Sequence, residues 1–249
     1  MSKGKVYIVG AGPGDPELLC IKAYKIIERA DVIVYDRLVS DAIVQLIPKK
    51  TDKIFVGKKP YNHHHQQNHI NKILVEEARN GKIVVRLKGG DPFLFSRGGE
   101  EALILKRAGI EFEVIPGISS ALAVPIYAGI PLTHRGYSSS VTLITGHEDP
   151  TKTRNFINWG KISNITDTIV ILMGINRLRK IVNYLLKAGK NSKTPIAIIE
   201  HGTTINQREI IGTIGDIIKK AEDYDVQTPA IIVIGDVVKL QNEIAWYKR

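Results

Sequence analysis

The chain of 249 residues contains a single cysteine, Cys20. One thiol cannot form an intrachain disulfide or supply the paired thiolates of a cysteine-based metal site, which is one ground for predicting no metal. No apolar run approaches the roughly 18 residues that a membrane-spanning helix needs, and we predict no membrane partner. The run MSKGKVYIVGAG leads into a strand pattern without the features of a secretory signal. These absences predict a cytoplasmic protein.

Two common phosphate-binding patterns are also missing. The segment GAGPGD (10–15) begins like the dinucleotide fingerprint GxGxxG, but Asp15 stands where the last glycine is required. Pro13 removes a backbone donor that a pyrophosphate would need. No Gly-Lys-Ser/Thr follows, so the segment is not a Walker loop. The hypothesis of a nicotinamide-dependent oxidoreductase therefore rests on GAGPGD alone, and Pro13 and Asp15 both argue against it.

Basic residues outnumber acidic ones by 35 to 25, which gives a formal net charge of +10. Such a balance suits an acidic partner, such as nucleic acid, anionic lipid or a polyanionic small molecule, or simply a lysine-rich solvated surface. The basic residues are scattered, and no aromatic RNA-binding signature is present. We therefore predict no nucleic-acid partner and keep an RNA-modifying or nucleic-acid-binding protein as a remote alternative.

Short apolar runs alternate with helical patterns along the whole chain, which predicts an α/β fold. KVYIV (5–9), a helix over 16–30 and VIVY (32–35) form a βαβ unit, whose two strands should be parallel. The alternation continues with predicted strands at 53–56, 82–87 and 112–115 and helices at 67–80 and 99–108.

The stretch IPLTHRGYSSS (130–140) has no clear period and is predicted to link two domains. We predict an N-terminal α/β domain over residues 1–133 with a mainly parallel sheet. Strand patterns at 195–200 and 208–214 follow each other closely, which favours some antiparallel pairing. The second α/β domain, residues 134–249, is therefore predicted to contain a mixed sheet.

Glycine-rich turns follow two of the predicted parallel strands, where ligands bind in sheets of this kind. GAGPGD follows the first strand, and KGGDPFLF follows the strand at 82–87. Each turn carries an aspartate, which would repel a bare phosphate but accept hydrogen bonds from ribose hydroxyls or an ammonium group. These requirements suit an adenosine-containing cofactor without phosphate, such as S-adenosyl-L-methionine.

The motifs VYIVGAGPGDPELLCIKA, VIVYDRLVS, FVGKK, RLKGGDPFLFSRGGEEA, PGISSA, GIPLTHRG and VTLITGH occur in this order. With them, the chain resembles the uroporphyrinogen-III C-methyltransferase family, within the tetrapyrrole methylase fold. The resemblance implies two α/β domains with the cofactor cleft between them, usually in a homodimer. It implies two successive methyl transfers from S-adenosyl-L-methionine to uroporphyrinogen III, an acidic tetrapyrrole, giving precorrin-2. A methyltransferase of the same fold acting on a later corrin precursor is the nearer alternative.

The resemblance also implies site residues. Asp36 and Lys58 match the family's proposed proton acceptor and donor. Asp36 would otherwise cap a turn or pair with Arg37, and Lys58 would otherwise bind a substrate carboxylate. The implied cofactor contacts are Pro13, Gly89, Gly90, Asp91, Leu94, Ser119, Ser120, Met173, Gly202 and Ala230.

Three further features of the sequence lead to expectations. Acidic substrate groups should meet basic residues, for which we name Lys58, Lys59, His63, Arg135 and His147. The histidines of 63–69 lack nearby cysteine or carboxylate ligands, so we favour a polar loop facing the substrate over a metal site. In LKGGDPFLFSRGGEE (87–101), the first glycine pair is predicted to bind ligand and the second to begin a helix. The sequence explains no role for Ser96, where this family usually has glycine.

Overall fold

The computed structural model describes residues 4–57, 63–147 and 157–247, without the side chains of residues 63–66 and 164. The chain divides into two compact units, Met1–Ser120 and Ala121–Arg249. Each unit contains a five-stranded sheet with helices around it, which confirms the predicted α/β class. Within the described residues, no helix combines the length and hydropathy that crossing a bilayer requires.

The sheet of the first unit is entirely parallel, with the strand order β3-β2-β4-β1-β5. Its strands are β1 (Lys5–Gly10), β2 (Val32–Tyr35), β3 (Asp52–Phe55), β4 (Ile83–Lys88) and β5 (Glu111–Ile115). The runs VYIV, VIVY and IVV are apolar at every position because helices cover both faces of such a sheet.

Among the described residues of this unit, four α-helices cover the sheet: α1 (Ile21–Ile27), α2 (Asp41–Gln45), α3 (His63–Arg79) and α4 (Gly98–Arg107). Ala23 and Ile27 of α1 and Ile43 of α2 pack in one buried cluster, with Ile33 and Val85 of the sheet. Side chains of α3 and α4 belong to a second cluster with other strand residues. The two clusters are the hydrophobic cores on the two faces of the sheet.

The helix predicted over 16–30 is shorter than the sequence indicated. A 3-10 helix, Pro16–Leu18, comes first, and the carboxylate of Asp15 caps it by accepting from the N–H of Glu17 at 2.9 Å. Leu19 and Cys20 are extended, with ψ of 131° and 146°, before α1 begins. The predicted cap and the first-turn proline are therefore present, but they begin a single turn that does not continue.

The strand order places a topological switch point between β1 and β4. From β1 the chain passes to β2, which lies beyond β4, and from β4 it passes to β5, which lies beyond β1. The two connections leave neighbouring strands in opposite directions, which opens a crevice at their carboxyl ends. Both glycine-rich turns found in the sequence lie there.

The second unit has a mixed sheet with the order β6-β7-β10-β8-β9, as the sequence predicted. β6 and β7 are parallel, whereas β10 is antiparallel to β7 and β8, and β9 to β8. The strands are β6 (Val141–Thr145), β7 (Thr168–Leu172), β8 (Pro195–Glu200), β9 (Arg208–Thr213) and β10 (Ala230–Ile234). The helices are α5 (Ser120–Tyr127), α6 (Trp159–Ile165), α7 (Leu178–Lys187), α8 (Ile217–Asp223) and α9 (Gln241–Ile244).

The division between the units falls earlier in the chain than residue 133. Ala121 and Val124 of α5 pack in one buried cluster with Val170 of β7 and Ala197 of β8. The helix thus belongs to the second core, and the polar stretch after it, which looked like a linker, lies within the second unit.

Candidate functional site

The two glycine-rich turns of the first unit are joined directly through their backbones. The N–H of Gly90 donates to the carbonyl of Gly12 at 2.7 Å, and the N–H of Gly12 donates to the carbonyl of Gly90 at 3.2 Å. The N–H of Ala11 donates to the carbonyl of Lys88 at 2.7 Å. The segments after β1 and β4 therefore form one connected rim at the switch point.

Three backbones approach each other closely at this rim. A Cβ on Gly10 would lie 2.5 Å from the nitrogen of Gly117, and a Cβ on Gly117 would lie 2.3 Å from the carbonyl oxygen of Gly90. Gly90 also has a φ of 68°, which favours glycine. The protein's own packing thus requires these glycines, whether or not a ligand approaches them.

Asp91 organises the rim through backbone hydrogen bonds. Its Oδ1 accepts from the N–H groups of Phe93 at 2.8 Å and Leu94 at 3.1 Å, and its Oδ2 accepts from Gly117 at 3.2 Å. The carboxylate therefore ties the turn after β4 to the turn after β5. Since a carboxylate has about four acceptor positions, these bonds leave room for one ligand donor. The cofactor contact of Asp91 stays a prediction.

Ser119 and Ser120, after β5, lie beside the same turn. A Cβ on Gly90 would come within 3.9 Å of the Cα of Ser119 and 3.8 Å of the nitrogen of Ser120. The N–H of Leu94 donates its hydrogen bond to Asp91, and Pro13 follows Gly12 of the joined turns. The structure brings the predicted cofactor residues of the first unit to one edge of its sheet; they are Pro13, Gly89, Gly90, Asp91, Leu94, Ser119 and Ser120.

The second half of the segment LKGGDPFLFSRGGEE (87–101) serves the local structure, and Ser96 has a place in it. The hydroxyl of Ser96 donates to the carbonyl of Pro92, and the N–H of Gly98 donates to the same oxygen at 3.0 Å. Phe95 and Arg97, on either side of Ser96, have φ values of 55° and 63°. These bonds hold a tight loop just before α4, which begins at Gly98.

Asp36 follows β2 at the same edge as the glycine turns. Its Oδ1 accepts from the N–H of Leu38 at 3.0 Å, which makes it a turn cap. Its Oδ2 accepts from Nη2 of Arg86 at 2.8 Å, so the charged partner is Arg86 rather than the neighbouring Arg37. The side chain of Asp36 is 25% exposed, which leaves the carboxylate accessible to a ligand.

Behind Asp36 lies a cluster of charged side chains that the sequence reasoning missed. Arg86 donates from Nε to Oε1 of Glu101 at 3.2 Å, and Lys88 donates to the same oxygen at 3.0 Å. Gln67 donates to it as well, at 3.1 Å. We call Asp36, Arg86, Lys88 and Glu101 the charge cluster. The sequence offered one signal for this cluster, the basic residues within the apolar run IVVRLK. A charged side chain that is buried in a strand needs a partner of opposite charge.

Burial affects the titration of one member of this cluster, Lys88. Removal from water lowers the pKa of the Lys88 ammonium below its ordinary value, and the positive charge of Arg86 acts in the same direction. Glu101 opposes both effects through its charge and hydrogen bond. Lys88 is therefore a less stable cation than a surface lysine would be.

Three predicted residues of the second unit also lie along one edge of their sheet. Met173 directly follows β7, Gly202 follows β8, and Ala230 is the first residue of β10. Because β10 is antiparallel to both strands, its beginning lies beside their ends: Ala230 is paired with Glu200, and the N–H of His201 donates to the carbonyl of Pro229 at 3.0 Å. Met173 is 50% exposed.

Glu200 joins two of these segments and was also missed by the sequence reasoning. Its side chain is buried; one oxygen pairs with Arg208 and the other accepts from the backbone N–H of Gln227. The carboxylate thus fixes the segment that leads into Ala230 next to the one that leads to Gly202.

Several expectations lie wholly or partly beyond the described residues. Lys58 and Lys59 lie outside them, as does the side chain of His63. Arg135 and His147 are both exposed. Among the residues that the structure describes, no group of three or more His, Cys, Asp or Glu side chains is arranged to hold a metal ion.

Residues 5–218 match the profile of the tetrapyrrole (corrin/porphyrin) methylases. The chain belongs to this family. The match covers nearly all of the first unit and most of the second; it includes the edge of the first sheet, Met173 and Gly202, and ends before Ala230.

This tetrapyrrole methylase has similar relatives of known activity and structure. It is 54% identical over 239 residues to an S-adenosyl-L-methionine-dependent uroporphyrinogen III methyltransferase of Methanosarcina barkeri, covering 96% of this chain and 94% of the relative. A crystal structure of uroporphyrin-III C-methyl transferase from Thermus thermophilus, complexed with S-adenyl homocysteine, matches with a TM-score of 0.81 and 37% identity. That match covers 95% of this chain and 99% of the other.

A relative that is named for a different substrate has an equally similar fold. The structure of a cobalt precorrin-4 methyltransferase matches this tetrapyrrole methylase with a TM-score of 0.83, over 94% of this chain and 95% of that one. Its sequence identity is only 25%. Relatives named for different substrates thus share this fold, and the two structural matches differ in their sequence identity to this chain.

Proposed function

We propose that this chain is an S-adenosyl-L-methionine-dependent C-methyltransferase that converts uroporphyrinogen III to precorrin-2 by two successive methyl transfers. The observation that carries the proposal is 54% identity over nearly the full length of a uroporphyrinogen III methyltransferase, against 25% for a methyltransferase of cobalt precorrin-4. Since the folds match about equally well, it is the higher sequence identity, and not the fold, that supports uroporphyrinogen III as the substrate.

The edges of the two sheets suit this cofactor. S-adenosyl-L-methionine carries ribose hydroxyls and an ammonium group but no phosphate, and it supplies a methyl group on a positively charged sulfur. The switch-point rim offers backbone groups at Gly89 and Gly90 and one remaining acceptor position on Asp91. Exposed Met173 and the segments at Gly202 and Ala230 are the proposed contacts in the second unit.

The protein needs no nucleophile of its own for this reaction. The attacking atom is an electron-rich pyrrole carbon of the substrate, so the protein's main contribution is to hold the reacting atoms in line. The substituted macrocycle then loses a proton, and a carboxylate at the edge of the sheet would accept it. We assign that role to Asp36, whose side chain is partly exposed there. Lys58 is proposed to bind a substrate carboxylate or to donate a proton.

The charge of the chain fits an acidic tetrapyrrole. Uroporphyrinogen III carries carboxylates on its peripheral side chains, and a net charge of +10 would attract it. Exposed Arg135 and His147 are proposed contributors in the second unit. Substrate binding should then weaken as salt is added, because exposed charges are screened.

A homodimer, which the resemblance implies, and a cytoplasmic location, which the single cysteine suggests, complete the proposal. Analytical ultracentrifugation at several protein concentrations would measure the assembly, and a concentration-independent monomer would contradict it. Fractionation of the source cells would test the location.

A comparison of methyl transfer to two different substrates tests the proposed function. The purified protein would be incubated anaerobically with S-adenosyl-L-methionine and either uroporphyrinogen III or a later corrin precursor. We expect faster methyl transfer to uroporphyrinogen III. Faster transfer to the later precursor would favour the nearer alternative. RNA binding without methyl transfer would favour the nucleic-acid-binding alternative. Nicotinamide binding measured by calorimetry, again without methyl transfer, would favour an oxidoreductase.

A further inference from the structure

We propose that Arg86 is a positioning residue of this methyltransferase, which holds the Asp36 carboxylate in its reactive orientation and is itself fixed by Glu101. This inference rests on the proposed function, since it assumes that Asp36 accepts the proton. It assigns a role to a buried side chain that is not among the residues proposed to contact the cofactor or the substrate.

The first support is the number of bonds that fix the guanidinium. Besides its bonds to Asp36 and Glu101, Arg86 donates from Nη1 to the carbonyl of Leu87 at 3.0 Å and to that of Val34 at 3.3 Å. Its side chain is 3% exposed. A guanidinium held in a planar array of bonds offers Nη2 to Asp36 from one direction only.

The second support is the gradient of exposure through the charge cluster. The side chain of Glu101 is fully buried, that of Arg86 is 3% exposed and that of Asp36 is 25% exposed. Asp36 is therefore the member of the cluster that reaches the edge where the glycine turns lie. The buried members have no access to a substrate, so they can affect the reaction only through Asp36.

The third support is the balance of charge. Two cations and two carboxylates make the charge cluster neutral in total, which reduces the cost of burying each one. Oε1 of Glu101 accepts from both Arg86 and Lys88, so it separates two positive charges that would otherwise repel each other. Loss of the Glu101 charge would therefore free Arg86 to move, and Asp36 would move with it.

Arg86→Lys is the direct test, because lysine keeps the charge but cannot bond to Asp36, Glu101 and two carbonyls together. A displaced base lowers the turnover number, and we expect a fall on the order of a hundredfold. The KM for uroporphyrinogen III and the affinity for S-adenosylhomocysteine should change by less than about threefold, since uniform binding is retained. A fall in cofactor affinity equal to the fall in turnover would contradict the inference.

A double-mutant cycle separates positioning from general structural damage. If Arg86 acts through Asp36, then Arg86→Lys should change the turnover number of Asp36→Asn by less than about twofold. A further large fall in the double variant would overturn the inference. Should Arg86→Lys fail to fold, Glu101→Gln takes its place in the same cycle, with the same expected result.

A matched control comes from the other end of β4. Glu77→Gln removes an ion pair in which Lys82 lies 2.8 Å from the Glu77 carboxylate, in the same unit. It should leave the turnover number within about twofold of the parent enzyme. An inactive parent enzyme would count against the proposed function, whereas an active parent with a fully active Arg86→Lys variant would count against this inference alone.

Discussion

The backbone N–H of Gly98 donates a hydrogen bond to the carbonyl oxygen of Pro92 at 3.0 Å. The hydroxyl of Ser96 donates to the same oxygen, so one carbonyl closes the loop that leads into α4. Glycine at position 98 permits this approach, because a Cβ there would lie 2.1 Å from that oxygen. The adjacent Gly99 has no heavy atom within 4 Å of the corresponding position.

The two neighbouring glycines should therefore respond differently to alanine. Gly98→Ala forces the loop apart and should lower the free energy of unfolding by about 1–3 kcal/mol or more. Gly99→Ala lies in a helix with open space around it and should leave stability unchanged or raise it by up to about 1 kcal/mol. Urea unfolding of both variants measures this difference, and equal effects would contradict the geometry.

Asp91 should affect both folding and cofactor binding. Asp91→Ala removes three hydrogen bonds to a carboxylate, so we expect a loss of stability of about 2 kcal/mol or more. Calorimetry with S-adenosylhomocysteine should also show weaker binding, and a larger loss than for uroporphyrinogen III. Asp91→Asn keeps an oxygen for Phe93 and Leu94 and should retain more stability. An unchanged cofactor affinity in a folded Asp91→Ala variant would show that the carboxylate serves the loop alone.

Asp167 predicts a pH-dependent contribution to stability in the second unit. The N–H of Ser139 and the hydroxyl of Ser140 donate to Asp167 and lower its pKa below the ordinary 3.8. A carboxyl with a lowered pKa stabilises the fold above its unfolded pKa, and this contribution is lost as pH falls through the folded value.

Asp167→Asn should therefore be less stable than the parent protein at pH 7, and the difference should shrink as pH falls below about 4. Thermal unfolding at several pH values measures it. Asp223→Asn, at an exposed position that ends α8, is the matched control. A difference that stays constant down to pH 2 would contradict this account.

Much of the fold could be predicted because its signals are local. Apolar runs of four to six residues marked the strands, and the glycine-rich turns after β1 and β4 marked the edge where ligands bind. The closely spaced strands β8 and β9 correctly indicated antiparallel pairing. The ends of elements were less accurate, as the break between Leu18 and Ile21 shows, because a cap specifies where a helix begins but not how far it continues.

The charge cluster could not be predicted because its members come together only through the strand order. Arg86 and Asp36 lie far apart in sequence and meet because β4 lies beside β2. Asp91 shows the same limit. An aspartate in a glycine-rich turn suggested a ligand contact, and only the fold shows that the N–H of Gly117 lies within hydrogen-bonding distance of its carboxylate. Long-range backbone partners of a carboxylate leave no pattern in a single sequence.

The most direct test of the proposed function is the mass spectrum of the product. Anaerobic incubation of the purified protein with uroporphyrinogen III and methyl-labelled S-adenosyl-L-methionine should yield a tetrapyrrole that carries two labelled methyl groups, with a singly labelled intermediate at early times. The labelled methyl groups should be bonded to carbon, and they should therefore withstand acid that would cleave a methyl ester. An unlabelled tetrapyrrole, or label confined to carboxylate esters, would contradict it.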